Sequence, residues 1–304
     1  MAGASCSKCS APSVTHIRYS GQHLCGDHFV RFFEKRAKLE LANQGKLPDG
    51  LTAVALSGGK DSVATLHLLH KIAAGNPKLQ LAAVSVDEGI AGYRESALEI
   101  CKQVTEERDI PWHTISIHEL AGYDIDGFVG DDPEKRACGP CGVFRRMGMN
   151  QVARDLGAQA IATGHNLDDM AQTVLMNVLN GDPERLARLA PHDADRAQPG
   201  LVRRILPLRT IPEKEVLLYA LLEGLPLHDE AECPYAARAN RFAMRDVLLG
   251  LEADQPGTRH RILAFQDKVK PALAGLEQPP MAACPTCGEP TSGAGCKACD
   301  WKVA

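Results

Sequence analysis

LTAVALSGGKDS, residues 51–62, decides the fold. Its first half is a short apolar run of the kind that makes a buried strand, and its second half turns on two glycines into a helix. Gly58 and Gly59 permit positive φ and let backbone N–H groups converge on an anion. The start of the following helix adds partial positive charge, Lys60 adds a full one, and Ser57 and Ser62 supply hydroxyls. The sum is a phosphate cradle. It is not a Walker loop, because G-x-x-x-x-G-K-[ST] is absent. The bland alternative for the same letters is a glycine-rich turn capped by Asp61 and Ser62.

The flanking segments repeat the alternation. Residues 61–74 carry apolar side chains at helical spacing, 81–87 (LAAVSVD) read as a strand, and 93–108 as a helix. Strands follow at 112–117 and 158–164, with helices at 139–156 and 167–180. This order predicts an α/β fold, an open parallel sheet with helices on both faces. Asp87 and Glu88 end the second strand, and GHNLDD (164–169) follows the fourth. Both fall on the sheet edge where such folds bind ligands. Asp168 and Asp169 suit Mg²⁺, or they cap the next helix. Residues 181–201, rich in Pro, Asp and Ala, read as a mobile surface loop, and the chain beyond Pro212 reads as mainly helical to about Leu276.

Eleven cysteines stand out in a chain of 304 residues. Cys6, Cys9, Cys25 and His28 form one four-ligand set, and Cys284, Cys287, Cys296 and Cys299 another. Paired Cys-x-x-Cys knuckles close a tetrahedral site, so each end is expected to hold a structural Zn²⁺. Three parts follow: a zinc finger with a linking helix over 1–46, the catalytic domain over 47–277, and a zinc ribbon over 278–304. The CGPC of Cys138 and Cys141 lacks such partners. Cys233 is its obvious third ligand, and three thiolates leave an open, reactive position. A persulfide on one of these thiols, resolved by another, is the rival reading. Cys101, mid-helix, reads as a small buried hydrophobe.

SGGKDS resembles the pyrophosphate loop of the PP-loop ATPases, which adenylate a substrate and release pyrophosphate. VDEGIAGYRE (86–95), ACGPCGVFRR (137–146), TGHNLDD (163–169), IPEKEVLLYALLEGLP (211–226) and ECPY resemble, within that superfamily, the tRNA 2-thiouridine synthetases of the TtcA/TtuA group. The resemblance implies that Ser57, Gly58, Gly59, Lys60, Asp61, Ser62, Asp87, Gly164, His165 and Asp168 hold ATP and Mg²⁺. It implies a [4Fe–4S] cluster on Cys138, Cys141 and Cys233, and gives catalytic roles to these three with Lys60, Asp169 and Arg145. The family often has Lys at the last position, where Arg keeps the charge but does not readily exchange a proton. An ATP-dependent tRNA-uridine 2-sulfurtransferase is implied, with a ubiquitin-like thiocarboxylate protein as sulfur carrier. Residues 232–258 lean toward the T-loop uridine of tRNA, with the wobble uridine as the alternative.

A net charge of −4 rules out a uniformly basic coat, so tRNA has to be met by a local patch. Arg145, Arg146, Arg203, Arg204, Arg209, Arg238, Arg241 and Arg245 are the candidates, against a bland reading as solvated helix faces. The aromatic and basic stretch 29–38 either packs a helix on the catalytic domain or touches tRNA. With no secretory signal and no membrane span in view, a cytoplasmic protein is expected, and a homodimer stays open. A lysidine synthetase or an amidotransferase-coupled synthetase would leave the three middle cysteines unexplained. A non-catalytic zinc-ribbon RNA-binding module would leave SGGKDS and GHNLDD without a purpose.

Overall fold

The computed structural model describes all residues except 1–3, 133–134, 193–197, 228–232, 237–240, 274–275, 277–280 and 303–304. Arg238 and the QPP of 278–280 therefore lie outside the described residues. A hairpin of β1 (Thr15–Ile17) and β2 (Gln22–Leu24) leads into α1 (Gly26–Asn43). The central unit then runs β3 (Gly50–Ala55), α2 (Lys60–Ala74), β4 (Leu79–Asp87), α3 (Arg94–Glu106) and β5 (Trp112–Ser116). Two short helices follow, α4 (Ile117–Ala121) and α5 (Ile125–Val129), before α6 (Cys138–Asp155), β6 (Ala160–Ala162) and α7 (Leu167–Leu179). Then come α8 (Pro183–Ala187), β7 (Arg203–Ile205), α9 (Glu213–Leu222), α10 (Arg241–Asp254) and α11 (Thr258–Leu273). The end piece pairs β8 (Ala282–Ala283) with β9 (Pro290–Thr291).

The five central strands are all parallel, in the order β5-β4-β3-β6-β7. Alternation along them sorts the two faces, as a period of two requires. Val54, Ala83, Ala160 and Ala162 join a core with α1, α2, α3 and α9, while Ala53, Val84 and Ile161 pack with Ala153 of α6. Helices therefore cover both faces, as expected from the sequence.

The stretch 29–38 belongs to that core: Phe29 and Phe33 of α1 are buried, and Phe33 stacks on Tyr219 at 4.0 Å. Residues 181–192 are not the loose loop expected, and 193–197 of that stretch lie outside the described residues. Asp182 caps α8, Pro183 opens it and Leu186 is buried. Gln266 Nε2 donates to the Leu186 carbonyl at 2.8 Å, tying the segment to α11. The fifth strand, β7, was not expected either, since three residues are too few to show a period. No helix among the described residues is long and apolar enough to cross a membrane.

Candidate active site

In the strand order the chain reverses direction of travel between β3 and β6, so the loops after these strands open a crevice side by side. Two glycines set their contact. Gly58 has φ +87°, and a Cβ there would run into the Ala97 carbonyl of α3. A Cβ on Gly164 would fall 2.8 Å from the Asp61 carbonyl oxygen and 2.9 Å from the Ser62 nitrogen. The second loop lies directly against the first.

Within the first loop, the Ser57 amide and hydroxyl both donate to Ser62 Oγ, at 3.1 and 3.2 Å, and Ser62 Oγ donates to the Gly59 carbonyl at 2.8 Å. Lys60 Nζ lies 2.7 Å from Glu213 Oε1 and 3.1 Å from Asp61 Oδ2. Burial pulls the Lys60 pKa down, but these two carboxylates outweigh it and hold it above the usual lysine range. Burial pushes the Asp61 carboxyl up, despite Lys60.

Asn166 ties the loops together. Its Oδ1 caps α7 by accepting from the amides of Asp168 and Asp169, at 2.9 and 3.1 Å, and its Nδ2 donates to Asp61 Oδ1 at 3.2 Å. Asp169 completes the capping box on the Asn166 amide at 3.1 Å and pairs with Arg241 at 3.1 Å. Neither aspartate is the cap itself. Asp168 is 7% exposed, with one oxygen on Arg259 and the other accepting from the Glu213 amide at 2.8 Å. It anchors α9 and α11, and both of its oxygens have protein partners. His165 Nδ1 sits 2.8 Å from Thr163 Oγ1, and Asp87 Oδ1 accepts from the Gly89 amide at 2.9 Å.

The sulfur side starts at the first turn of α6. Cys138 opens the helix and Cys141 lies one turn on. Tyr235 brings the third thiol in: its hydroxyl donates to Asp126 Oδ1 at 2.7 Å, and its carbonyl lies 3.8 Å from Cys138 Sγ. Cys141, Cys233, Tyr235 and Trp301 of the C-terminal piece pack against one apolar cluster, and the Trp301 ring covers Gly139. Burial first, then Glu88 and the other two thiols, push Cys141 up to about 11 against the pull of Arg145. Burial also raises Cys233.

Glu88 joins the two halves. It is 6% exposed and pairs with Arg94 at 2.9 Å and Arg145 at 3.1 Å. Arg94 in turn donates to the Ser57 carbonyl at 2.7 Å and the Val86 carbonyl at 2.9 Å. One carboxylate thus links the phosphate loop to the arginine beside Cys141. Arg94 and Glu213 lie within quoted segments that gave them no role, Arg259 lies in none, and the fold brings all three to the crevice. Cys101 is buried with its thiol on the Leu56 carbonyl, away from the other thiols.

At the N-terminal end, His28 Nδ1 lies 3.6, 3.5 and 3.2 Å from the sulfurs of Cys6, Cys9 and Cys25. In the C-terminal set the sulfurs approach to 3.4–3.8 Å. A tetrahedron with bonds of about 2.3 Å to sulfur has edges of about 3.8 Å, so both sets fit one zinc-sized ion. Backbone N–H groups of Cys287 and Thr286 hold Cys284 down at about 6, which favours the thiolate a metal needs. Among the described residues, Cys138, Cys141 and Cys233 do not close to within 4.8 Å as these sets do. Three thiolates leave one position open, which suits a cluster with an unligated iron better than a closed tetrahedral ion.

Comparison with known proteins agrees along the whole molecule. A model of the PP-loop domain matches residues 33–248, and a model of the N-terminal LIM domain of the 2-thiouridine synthetase TtuA matches residues 5–30. The tRNA 2-thiolation protein NcsA of Haloferax volcanii is 38% identical, over 97% of each chain. Cytoplasmic tRNA 2-thiolation protein 1 of Bos taurus is also 38% identical, over 97% of this chain and 85% of its own. The structure of the U34-tRNA thiolase NcsA from Methanococcus maripaludis, solved with its [4Fe–4S] cluster, superposes with a TM-score of 0.85 at 32% identity. It covers 100% of this chain and 98% of that one. With sequence, fold and crevice in agreement, the chain belongs to the PP-loop tRNA 2-thiolation family.

Proposed function

We propose that this chain replaces O2 of a tRNA uridine with sulfur, using ATP to activate the base. The observation that carries the reading is the bridge from Ser57 through Arg94, Glu88 and Arg145 to Cys141, which sets a phosphate site and a thiol site at one sheet edge. Uracil O2 attacks the α-phosphorus of ATP, the bond to the β-phosphate breaks, and pyrophosphate leaves. Sulfur at the oxidation level of sulfide then attacks C2, and AMP departs with the former O2. No reductant is needed. The amides of Gly58 and Gly59 and Lys60 hold the phosphates and compensate developing charge, a contribution of about 2–4 kcal/mol for one such donor.

Asp61 and Asp169, which feel each other's charge and keep about a quarter of each side chain exposed against a tenth for Asp168, are the better Mg²⁺ ligands. Cys138, Cys141 and Cys233 would hold a [4Fe–4S] cluster, whose unligated iron supplies a place for inorganic sulfur beside the activated base. Arg145, between Cys141 and Glu88, holds positive charge at that place whatever the pH, and does not serve as the proton shuttle a lysine could be. Zinc at the two terminal sets serves architecture. A ubiquitin-like thiocarboxylate carrier fits as the sulfur source, since it delivers sulfur at the required oxidation level.

We take the wobble uridine as the target in preference to the T-loop uridine, because the M. maripaludis relative is a U34 thiolase and matches this chain end to end. Mass spectrometry of tRNA nucleosides, mapped to position in cells lacking the protein, tests this. Loss of 2-thiouridine from the wobble position is expected. Its loss from the T-loop alone would overturn the choice of target, and unchanged thiolation would overturn the function.

A further inference from the structure

Residue 146 lies about 100° round α6 from Arg145 and faces a different space. A cavity of about 1330 Å³ opens there, bounded by α6, the edge strand β7, α11 and the C-terminal ribbon. None of residues 57–62 lines it, so it is distinct from the phosphate loop. Its volume exceeds the roughly 300–1000 Å³ of a small-molecule pocket.

The charges in its wall sort into two kinds. Asp267 and Glu289 are already neutralised, by Arg209 and by Arg154 at 2.6 Å. Lys270 donates to the carbonyls of Leu189 and Pro191 at 2.8 and 2.9 Å, and Arg203 donates to carbonyls of the α1–β3 connection. These cations hold walls in place. Arg146 and Arg204 are different: among the described residues neither guanidinium has a carboxylate or carbonyl partner, yet both line the cavity. Burial and Arg146 together bring Arg204 down to about 10, so the two groups feel each other. Two guanidinium groups lining one cavity repel, and an anion between them turns that repulsion into attraction. A planar guanidinium fork matches phosphate oxygens in pairs. Val143, Met147 and Val202 leave apolar wall beside them, against which a base or ribose can lie.

We propose that this cavity is a backbone subsite for the tRNA, in which Arg146 and Arg204 grip a phosphodiester flanking the target uridine while the uracil reaches the thiol face of the same helix. The proposal rests on the tRNA-thiolation reading above and adds to it where the strand runs.

The test is fluorescence anisotropy of labelled tRNA with anaerobically prepared holoprotein over a range of KCl. Arg146→Ala and Arg204→Ala should each weaken binding about tenfold. Each should also lower the slope of log affinity against log salt by about 1. Arg→Lys at either position should restore the slope without the full affinity. Lys102→Ala, exposed on α3 over the opposite face of the sheet, should change neither. Melting temperature, iron content and ATP binding should stay at the wild-type level in all of them. Alanine variants that melt normally and bind tRNA with wild-type affinity and slope would overturn the subsite. So would inorganic phosphate that displaces tRNA beyond the effect of chloride at equal ionic strength, since that is a free-anion site. If the wild-type protein itself bound no tRNA, the functional reading would fall and this inference with it.

Discussion

Replacing Glu88 with Gln removes one charge from the middle of the bridge and leaves its shape. Glu88 and Arg94 are both almost fully buried, 2.9 Å apart, so the change strands the Arg94 guanidinium among low-dielectric neighbours. Breaking a buried pair this way costs about 3–5 kcal/mol, because the remaining charge keeps its desolvation penalty. The two carbonyl contacts of Arg94, on Ser57 and Val86, soften the loss toward the lower figure. Arg145 adds less, since half of its side chain meets solvent. For a chain of this size a drop of roughly 5–8 °C in Tm is expected. The effect should also reach both sites, with weaker ATP binding through the Ser57 carbonyl and lower iron retention through Arg145 and Cys141. Thermal melting, ATP titration and iron analysis read the three consequences on one preparation. A double-mutant cycle with Arg94→Met isolates the pair, and a coupling of about 2 kcal/mol or more is expected. A Glu88→Gln protein within about 1 kcal/mol of wild type, with both sites intact, would refute the bridge.

Lys60→Ala should leave the fold in place, since the side chain is partly exposed and supports no core, yet lower ATP turnover by the roughly 30- to 1000-fold that about 2–4 kcal/mol represents. Near-normal turnover would sink the phosphate-loop assignment. Trp301→Ala uncovers Gly139 between Cys138 and Cys141, and should speed bleaching of iron–sulfur absorbance in air while ATP binding is unchanged. Equal bleaching rates would show that the ribbon does not shield the thiols. His260, against Tyr19 and Arg36, is held down to about 4 by burial and then by Arg36, so the unfolded chain takes up a proton first, near 6.5. Stability should therefore fall as pH drops from about 6.5 to about 4, by up to about 3 kcal/mol, and level off below. His260→Gln should flatten that part of the Tm profile, and parallel profiles would contradict the buried neutral imidazole.

How far the sequence reaches depends on how local the determinant is. The strands 51–56, 81–87 and 112–117 and their helices were legible because each buries a period that a short window reveals. The phosphate loop was legible because its glycines answer to backbone geometry that no other residue meets, as the Ala97 carbonyl beside Gly58 shows. The metal knuckles were legible by spacing alone. Asp168 is ambiguous from sequence, because an acidic pair after a strand looks the same whether it faces a cation or a buried arginine. Its partner Arg259 lies 91 residues away, and nothing local announces it. The same distance hid Glu213 from Lys60 and placed Trp301 over Gly139 unseen. Residues 181–192 were misread because Pro and Asp, taken as loop formers, here cap a short helix that α11 holds down.

The central claim is that nucleotide activation at residues 57–62 and sulfur delivery at Cys138, Cys141 and Cys233 are separate, sequential parts of one reaction on tRNA. The direct measurement is thiolation of unmodified tRNA by purified, anaerobically reconstituted protein with ATP and sulfide, following 2-thiouridine, AMP and pyrophosphate together. Wild-type protein should form the three products in equal amounts. Cys233→Ser protein should still bind ATP and form no 2-thiouridine. Thiolation at the full rate by Cys233→Ser or by iron-free protein would contradict the account.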